Sequence, residues 1–277
     1  MEKILVTTDF STNSKSAMRF AIQLASQHNF NLTFFHSYYI MKPTSWSDET
    51  FTAYEKKEAA KIQNKLNEFV ASVFKKLNVI PINIKCIVKS SVLTDSNIMD
   101  FALENKYGYI CTGTRGAGKL KKLIGTITSN LINHSTVAVI AVPHNYRKTK
   151  ITNILYASDL VNLETELKKV IDFAKPLKSK VELLHFNSPA DITTDSKIIE
   201  TAIKKFSKYA VKLHFEDTNH VNTFISNIES AIQKSKPSML IMFTKQNRSF
   251  FQKIFHSSNS AEYSFNAKVP LLVFNKI

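Results

Sequence analysis

Glycine is scarce in this chain: five residues in 277, and Gly108, Gly113, Gly116, Gly118 and Gly125 all fall within one short stretch. Backbone freedom and close approach to a ligand without an intervening Cβ are therefore concentrated in a single segment. Cysteine is scarcer still, with only Cys86 and Cys111. Each sits in an apolar, strand-like run far from the other and from any histidine cluster. That excludes a disulfide framework and a zinc site and leaves two buried free thiols as the expectation. Arginine is limited to Arg19, Arg115, Arg147 and Arg248, so lysine dominates the excess of 37 Lys+Arg over 22 Asp+Glu, a formal charge of +15. Such a charge attracts anionic partners. It is scattered over helices and not gathered with arginine and aromatics on one face, so it reads as a solvated basic surface and argues against nucleic-acid binding. No apolar run reaches the about 18 residues of a membrane span. The start, Met1-Glu2-Lys3-Ile4-Leu5-Val6, enters a strand directly and lacks the apolar core and cleavage site of a signal peptide, so a cytoplasmic protein is expected.

What is present is a strand and helix alternation. Residues 3–8 read as a strand ending in Thr7-Thr8-Asp9-Phe10-Ser11, followed by an amphipathic helix over about 13–28 with Ala17, Phe20, Ala21, Leu24 and Ala25 on one face. A second strand covers 32–36. A loop over 38–49 containing Pro43 and Trp46 precedes a long charged helix over 50–76. Residues 79–88 form a strand candidate interrupted by Pro81, 92–105 a helix, 107–111 a strand and 137–142 a closing strand before Pro143. Strands this continuously apolar are those covered by helices on both faces of a parallel sheet.

Four of the five glycines lie in the connection out of the fourth strand, in Thr112-Gly113-Thr114-Arg115-Gly116-Ala117-Gly118-Lys119-Leu120-Lys121-Lys122-Leu123-Ile124-Gly125-Thr126-Ile127, which leads into a helix at Ser129 to Ile132; Gly108 lies in the strand itself. A glycine-rich link from a strand to a helix lets backbone N–H groups close on an anion while the helix start adds partial positive charge, so phosphate suits it. Lys119, Lys121 and Lys122 add charge to the same loop.

After a polar connector over 144–150 the pattern begins again. Ile4-Leu5-Val6-Thr7-Thr8-Asp9 is echoed by Ile154-Leu155-Tyr156-Ala157-Ser158-Asp159, and Leu32-Thr33-Phe34-Phe35-His36 by Val181-Glu182-Leu183-Leu184-His185. The closing strand at 137–142 is echoed at 269–274. Two copies of one α/β unit, 1–146 and 151–277, account for nearly the whole chain. In the second copy Phe243, Gln246 and His256 stand where the first has Gly113, Gly116 and Gly125, so side chains fill the space a phosphate needs. His36 and His185 recur in both copies and read as packing or hydrogen-bonding residues. Asp9 suits either a ligand or the cap of the helix that follows it, a role Ser11 or Asn13 fills equally well.

These motifs resemble the universal stress protein family, here as a tandem of two domains. The match rests on Thr8-Asp9-Phe10-Ser11 after the first strand, on His36 and His185 ending the second, and on the glycine loop. Nucleotide-binding members carry Gly, two residues, Gly, nine residues, then Gly-Ser/Thr; here eight residues separate Gly116 from Gly125. The resemblance implies two open parallel-sheet domains of the Rossmann-like, adenine nucleotide alpha hydrolase-like class. It also implies bound ATP, accompanied by Mg²⁺ where the triphosphate recruits it. Carried over by position, Asp9 lies near the ribose or base, with backbone of Thr7 and Thr8 lining the site and Ser37 against the adenine. Thr112, Gly113 and Gly116 lie beneath ribose and phosphates, and Gly125, Thr126 and Ile127 cap the phosphates. Homodimerisation through the strands at 137–142 and 269–274, or the same contact made between the two copies of a monomer, and an unidentified protein partner, are further implications.

Two functional readings follow. One is a cytoplasmic nucleotide-responsive stress regulator binding an adenine nucleotide in its first domain; no general base stands out, so hydrolysis is at most slow. The other is a scaffold of the same fold that binds no nucleotide. An adenylating enzyme ranks last, because the Ser-Gly-Gly-x-Asp-Ser loop it needs after the first strand is replaced by Thr7-Thr8-Asp9-Phe10-Ser11.

Overall fold

The computed structural model describes residues 2–114, 126–187, 192–206, 209–217, 224–244 and 269–275. The chain divides into two compact units, one from residues 1–121 and 125–148, the other chiefly from 149–277.

In the first unit β1 (Lys3–Thr7), β2 (Asn31–Tyr38), β3 (Ile84–Ser90), β4 (Tyr109–Gly113) and β5 (Ala138–Val142) alternate with α1 (Ser14–Gln27), α2 (Asp48–Leu77), α3 (Thr94–Glu104) and α4 (Thr126–His134). The strands lie in the order β3-β2-β1-β4-β5, and each paired neighbour is parallel. Adjacent residues of β2 reach opposite faces: Phe34 meets Phe74 of α2 edge-on at 6.0 Å, while Phe35 stacks on Phe101 of α3 at 4.8 Å. On β4 the Cys111 thiol donates to the Ala17 carbonyl of α1 at 3.6 Å. Helices thus cover both faces, which is why β1 and β4 are buried and apolar along their length.

The second unit repeats the scheme with β6 (Asn153–Ala157), β7 (Lys180–Asn187), β8 (Val211–Asp217), β9 (Met239–Phe243) and β10 (Leu271–Phe274), and with α5 (Leu163–Ala174), α6 (Ile192–Lys205) and α7 (Phe224–Ser235). Its order is β10-β9-β6-β7-β8, again parallel throughout its pairings. The second unit has the 14-residue α6 where the first has the 30-residue α2.

Two expectations are corrected, and one choice among alternatives is decided. The strand expected from residue 79 begins only at Ile84, because Pro81 has no N–H for a ladder and Asn83 turns at φ 52°. Ile80 and Ile82 are left 81% and 72% exposed. Cys86 is half-buried, since β3 lies at the outer end of its sheet; only Cys111 is a core thiol, and burial pushes its ionisation far up. The helix cap is not Asp9: the residue before α1 is Asn13, while Asp9 Oδ1 accepts from Ser11 N at 3.0 Å in a turn upstream.

Candidate functional site

Because all five strands of the first unit are parallel, their carboxyl ends share one edge. Chain order reverses between β1 and β4: β1 continues outward to β2 and β3, whereas β4 leads to β5 on the other side. Connections leave such a pair toward opposite faces, so a crevice opens outside their carboxyl ends, and open parallel sheets bind ligands there. Thr7 ends β1 with Thr8 just beyond it, Thr112 and Gly113 end β4, and Val6 pairs with Cys111 just beneath them. The sequence separates these two groups by about a hundred positions; the sheet makes them neighbours.

Leaving β1, the chain makes a tight turn. Thr8 Oγ1 accepts from Phe10 N at 3.0 Å and meets Ser14 Oγ at 2.8 Å, and Ser11 Oγ accepts from Ser14 N at 3.1 Å. Phe10 sits in the left-handed region at φ 61°, a strained conformation for a residue with a Cβ. Its ring is held by His36 at 4.2 Å and Phe69 at 5.5 Å, with Lys65 Nζ 4.6 Å from its centre. His36 lies 2.7 Å from the Thr8 carbonyl through Nδ1. Burial lowers its basicity, against the Thr8 hydrogen bond and together with the nearby charge of Lys65.

Ser37 lies two residues beyond Phe35, the partner of Thr7, so this part of β2 overhangs the end of β1. Its Oγ accepts from Asn97 Nδ2 at 2.7 Å; the same amide donates to the Lys89 carbonyl at 3.2 Å. With both amide hydrogens committed to acceptors, Asn97 leaves the Ser37 hydroxyl its own hydrogen to donate. Asn97, buried on α3, was missed from sequence because a single asparagine among apolar residues gives no periodic signal. Thr128 was also missed: from the first turn of α4 its hydroxyl donates to the Gly113 carbonyl at 2.8 Å, tying the helix start to the end of β4. Thr126 and Ile127 open α4 and are exposed. Gly116 and Gly125, with Lys119, Lys121 and Lys122, lie outside the described residues.

The same edge of the second unit keeps the turn and carries aromatic side chains where the first unit has Val6 and Gly113. Ser158 Oγ accepts from Leu160 N and Asp159 Oδ1 from Val161 N, both at 3.0 Å, with Leu160 at φ 63°. Tyr156, in the place of Val6, donates to the buried Glu166 carboxylate at 2.5 Å, and its ring meets Phe243 at 5.8 Å. Phe243, in the place of Gly113, also stacks on Phe274 at 5.1 Å. Gln246 and His256 lie outside the described residues. Among the described residues no cluster of three or more His, Cys, Asp or Glu is placed to hold a metal ion, and no helix is long and apolar enough to cross a membrane.

Set beside known proteins, residues 1–143 match the sequence model of the universal stress protein family. A universal stress protein from Archaeoglobus fulgidus shares the fold at a TM-score of 0.68 and 17% identity, over 99% of this chain and 98% of its own. Two proteins from Pseudomonas aeruginosa, each 15% identical, reach TM-scores of 0.59 and 0.58 over 99% of this chain and 93% and 92% of theirs. No protein of curated function matches the sequence.

Proposed function

The chain belongs to the universal stress protein family, and from that premise we propose that its first unit binds ATP or a related adenine nucleotide and acts as a nucleotide-responsive stress regulator in the cytoplasm. The observation that carries this reading is the contrast at one position: Gly113 ends β4 without a side chain, whereas Phe243 ends β9 with its ring buried against Tyr156 and Phe274. A Cβ and ring there would fill the crevice. Thr7, Thr8 and Asp9 would line one side of the nucleotide with Ser37 facing the base. Thr112, Gly113 and Gly116 would lie beneath ribose and phosphates, and Gly125, Thr126 and Ile127 would meet the phosphates at the start of α4, where N–H groups and the helix dipole favour an anion. Mg²⁺ would enter with the triphosphate, bound mainly through phosphate oxygens and water. The second unit, its crevice packed and a carboxylate buried beneath it, would serve folding and partner contact.

Calorimetric titration of the full chain with ATP, ADP, AMP and cAMP, with and without Mg²⁺, tests this. Micromolar to submillimolar binding is expected for at least one adenine nucleotide, lost in Gly116→Val. Absence of binding at millimolar nucleotide would leave the alternative, a scaffold of the same fold, in its place.

A further inference from the structure

Away from the crevice, a polar cluster joins β7, β8 and the end of α7 in the second unit. His214 on β8 has both ring nitrogens engaged: Nδ1 lies 2.7 Å from Glu182 Oε1 on β7 and 3.0 Å from Ser235 Oγ on α7, and Nε2 lies 2.8 Å from Glu216 Oε1. Ser235 Oγ donates to Glu182 Oε1 at 3.0 Å, and Lys212 Nζ approaches the same oxygen at 3.5 Å. Lys234 donates to both oxygens of Glu216, at 2.7 and 2.8 Å. The Glu182 side chain is 6% exposed, that of His214 16% and that of Glu216 19%.

Counting hydrogens decides the state of this cluster. A neutral imidazole has one N–H and one bare lone pair. Whichever nitrogen were bare would face a carboxylate oxygen at hydrogen-bond distance, acceptor against acceptor. Ser235 cannot relieve the clash at Nδ1, because its only hydrogen goes to Glu182. Nor do the carboxyls supply the missing hydrogen. Burial alone would raise Glu182, but the hydrogen bonds from Ser235 and His214 and the charges of Lys212 and His214 outweigh it and hold the group below its ordinary value. Glu216 is held below its ordinary value by the hydrogen bond from Lys234, against a smaller desolvation, with His214 adding to it. The ring therefore carries both hydrogens.

We propose that Glu182, His214, Glu216 and Ser235 form a proton-operated clasp that fastens the outer strand β8 to β7 and α7, and that loss of the His214 proton loosens β8. Among the described strands β8 pairs only with β7, so the clasp supplements a single ladder. Its action is two-sided. Rising pH removes the second N–H and sets a lone pair against a carboxylate, and strong acid protonates Glu182 and Glu216 and removes the acceptors. Protection of β8 is thus greatest at mildly acidic pH.

The full chain tests this by two measurements. Long-range nitrogen–proton NMR of the His214 ring at about pH 6, near the ordinary histidine range, is expected to show both nitrogens protonated. A neutral tautomer there overturns the proposal whatever any variant does. Amide hydrogen exchange of β8, corrected for intrinsic rates, is expected to show protection falling about tenfold or more between about pH 6 and pH 9, the scale of one hydrogen bond to a charged group. Glu216→Gln sets an amide, able to donate or accept, against Nε2. That profile is expected to flatten while β1 and β4 protection stays unchanged; an unaltered β8 profile in this variant also overturns the proposal.

Discussion

His36 Nδ1 lies 2.7 Å from the carbonyl oxygen of Thr8, and since a carbonyl only accepts, that nitrogen carries the hydrogen. His185 repeats the contact with the Ser158 carbonyl at 3.0 Å. In each unit the end of the second strand is thereby tied to the turn that leaves the first, the turn that bears the strained Phe10 or Leu160. The recurrence in a unit that has Phe243 in the place of Gly113 supports a structural role for these histidines.

This bond sets a pH dependence for the first unit. Burial lowers the His36 value below that of the unfolded chain, where histidine titrates near about 6.5, so below that pH the unfolded state binds more protons than the native one. Stability of the first unit is expected to rise with pH through this range and to fall on acidification. Hydrogen exchange of β2 amides reports it, and in His36→Gln the histidine component should vanish. An unchanged pH profile in that variant would show that His36 is not the group responsible.

Tyr156→Phe removes the donor to Glu166, a carboxylate 2% exposed. Taking the donor away from a buried acceptor costs roughly 2 kcal/mol. Denaturant unfolding followed by a probe in the second unit should register that loss, with the first unit unaffected. A variant as stable as the parent would mean that the buried acid does not depend on the phenol.

Lys106 ends α3 at φ 55°, with Tyr107 N donating to the Ala102 carbonyl at 2.9 Å and Lys106 N to the Leu103 carbonyl at 3.1 Å. This is a Schellman closure, whose left-handed position favours glycine. Relief of Cβ strain, partly offset by the freer unfolded chain, predicts that Lys106→Gly stabilises the first unit by roughly 0.5–1 kcal/mol. A higher melting temperature checks it; a lower one would indicate that the lysine side chain contributes more than its backbone costs.

Much of the architecture was legible before any coordinates. Apolar runs of strand length separated by helical periodicity specify an alternating α/β chain, and the echo of residues 4–9 at 154–159 specifies its duplication, because both signals are local in sequence. The β3 start was misplaced because apolar Ile80 and Ile82 imitate a strand that Pro81 and Asn83 forbid.

The amino-acid order alone determined the sequence of elements, the duplication and the segment freed from side chains, since each is written in neighbouring residues. Only the folded chain decided that Asn97 would meet Ser37 across 60 positions, that His214 would meet Glu182 across 32, and that the rings of Tyr156 and Phe243 would pack together in the second unit. Those outcomes depend on which strands become neighbours and which faces they turn to the helices. Parallel pairing across long crossovers settles both, and no local pattern encodes it.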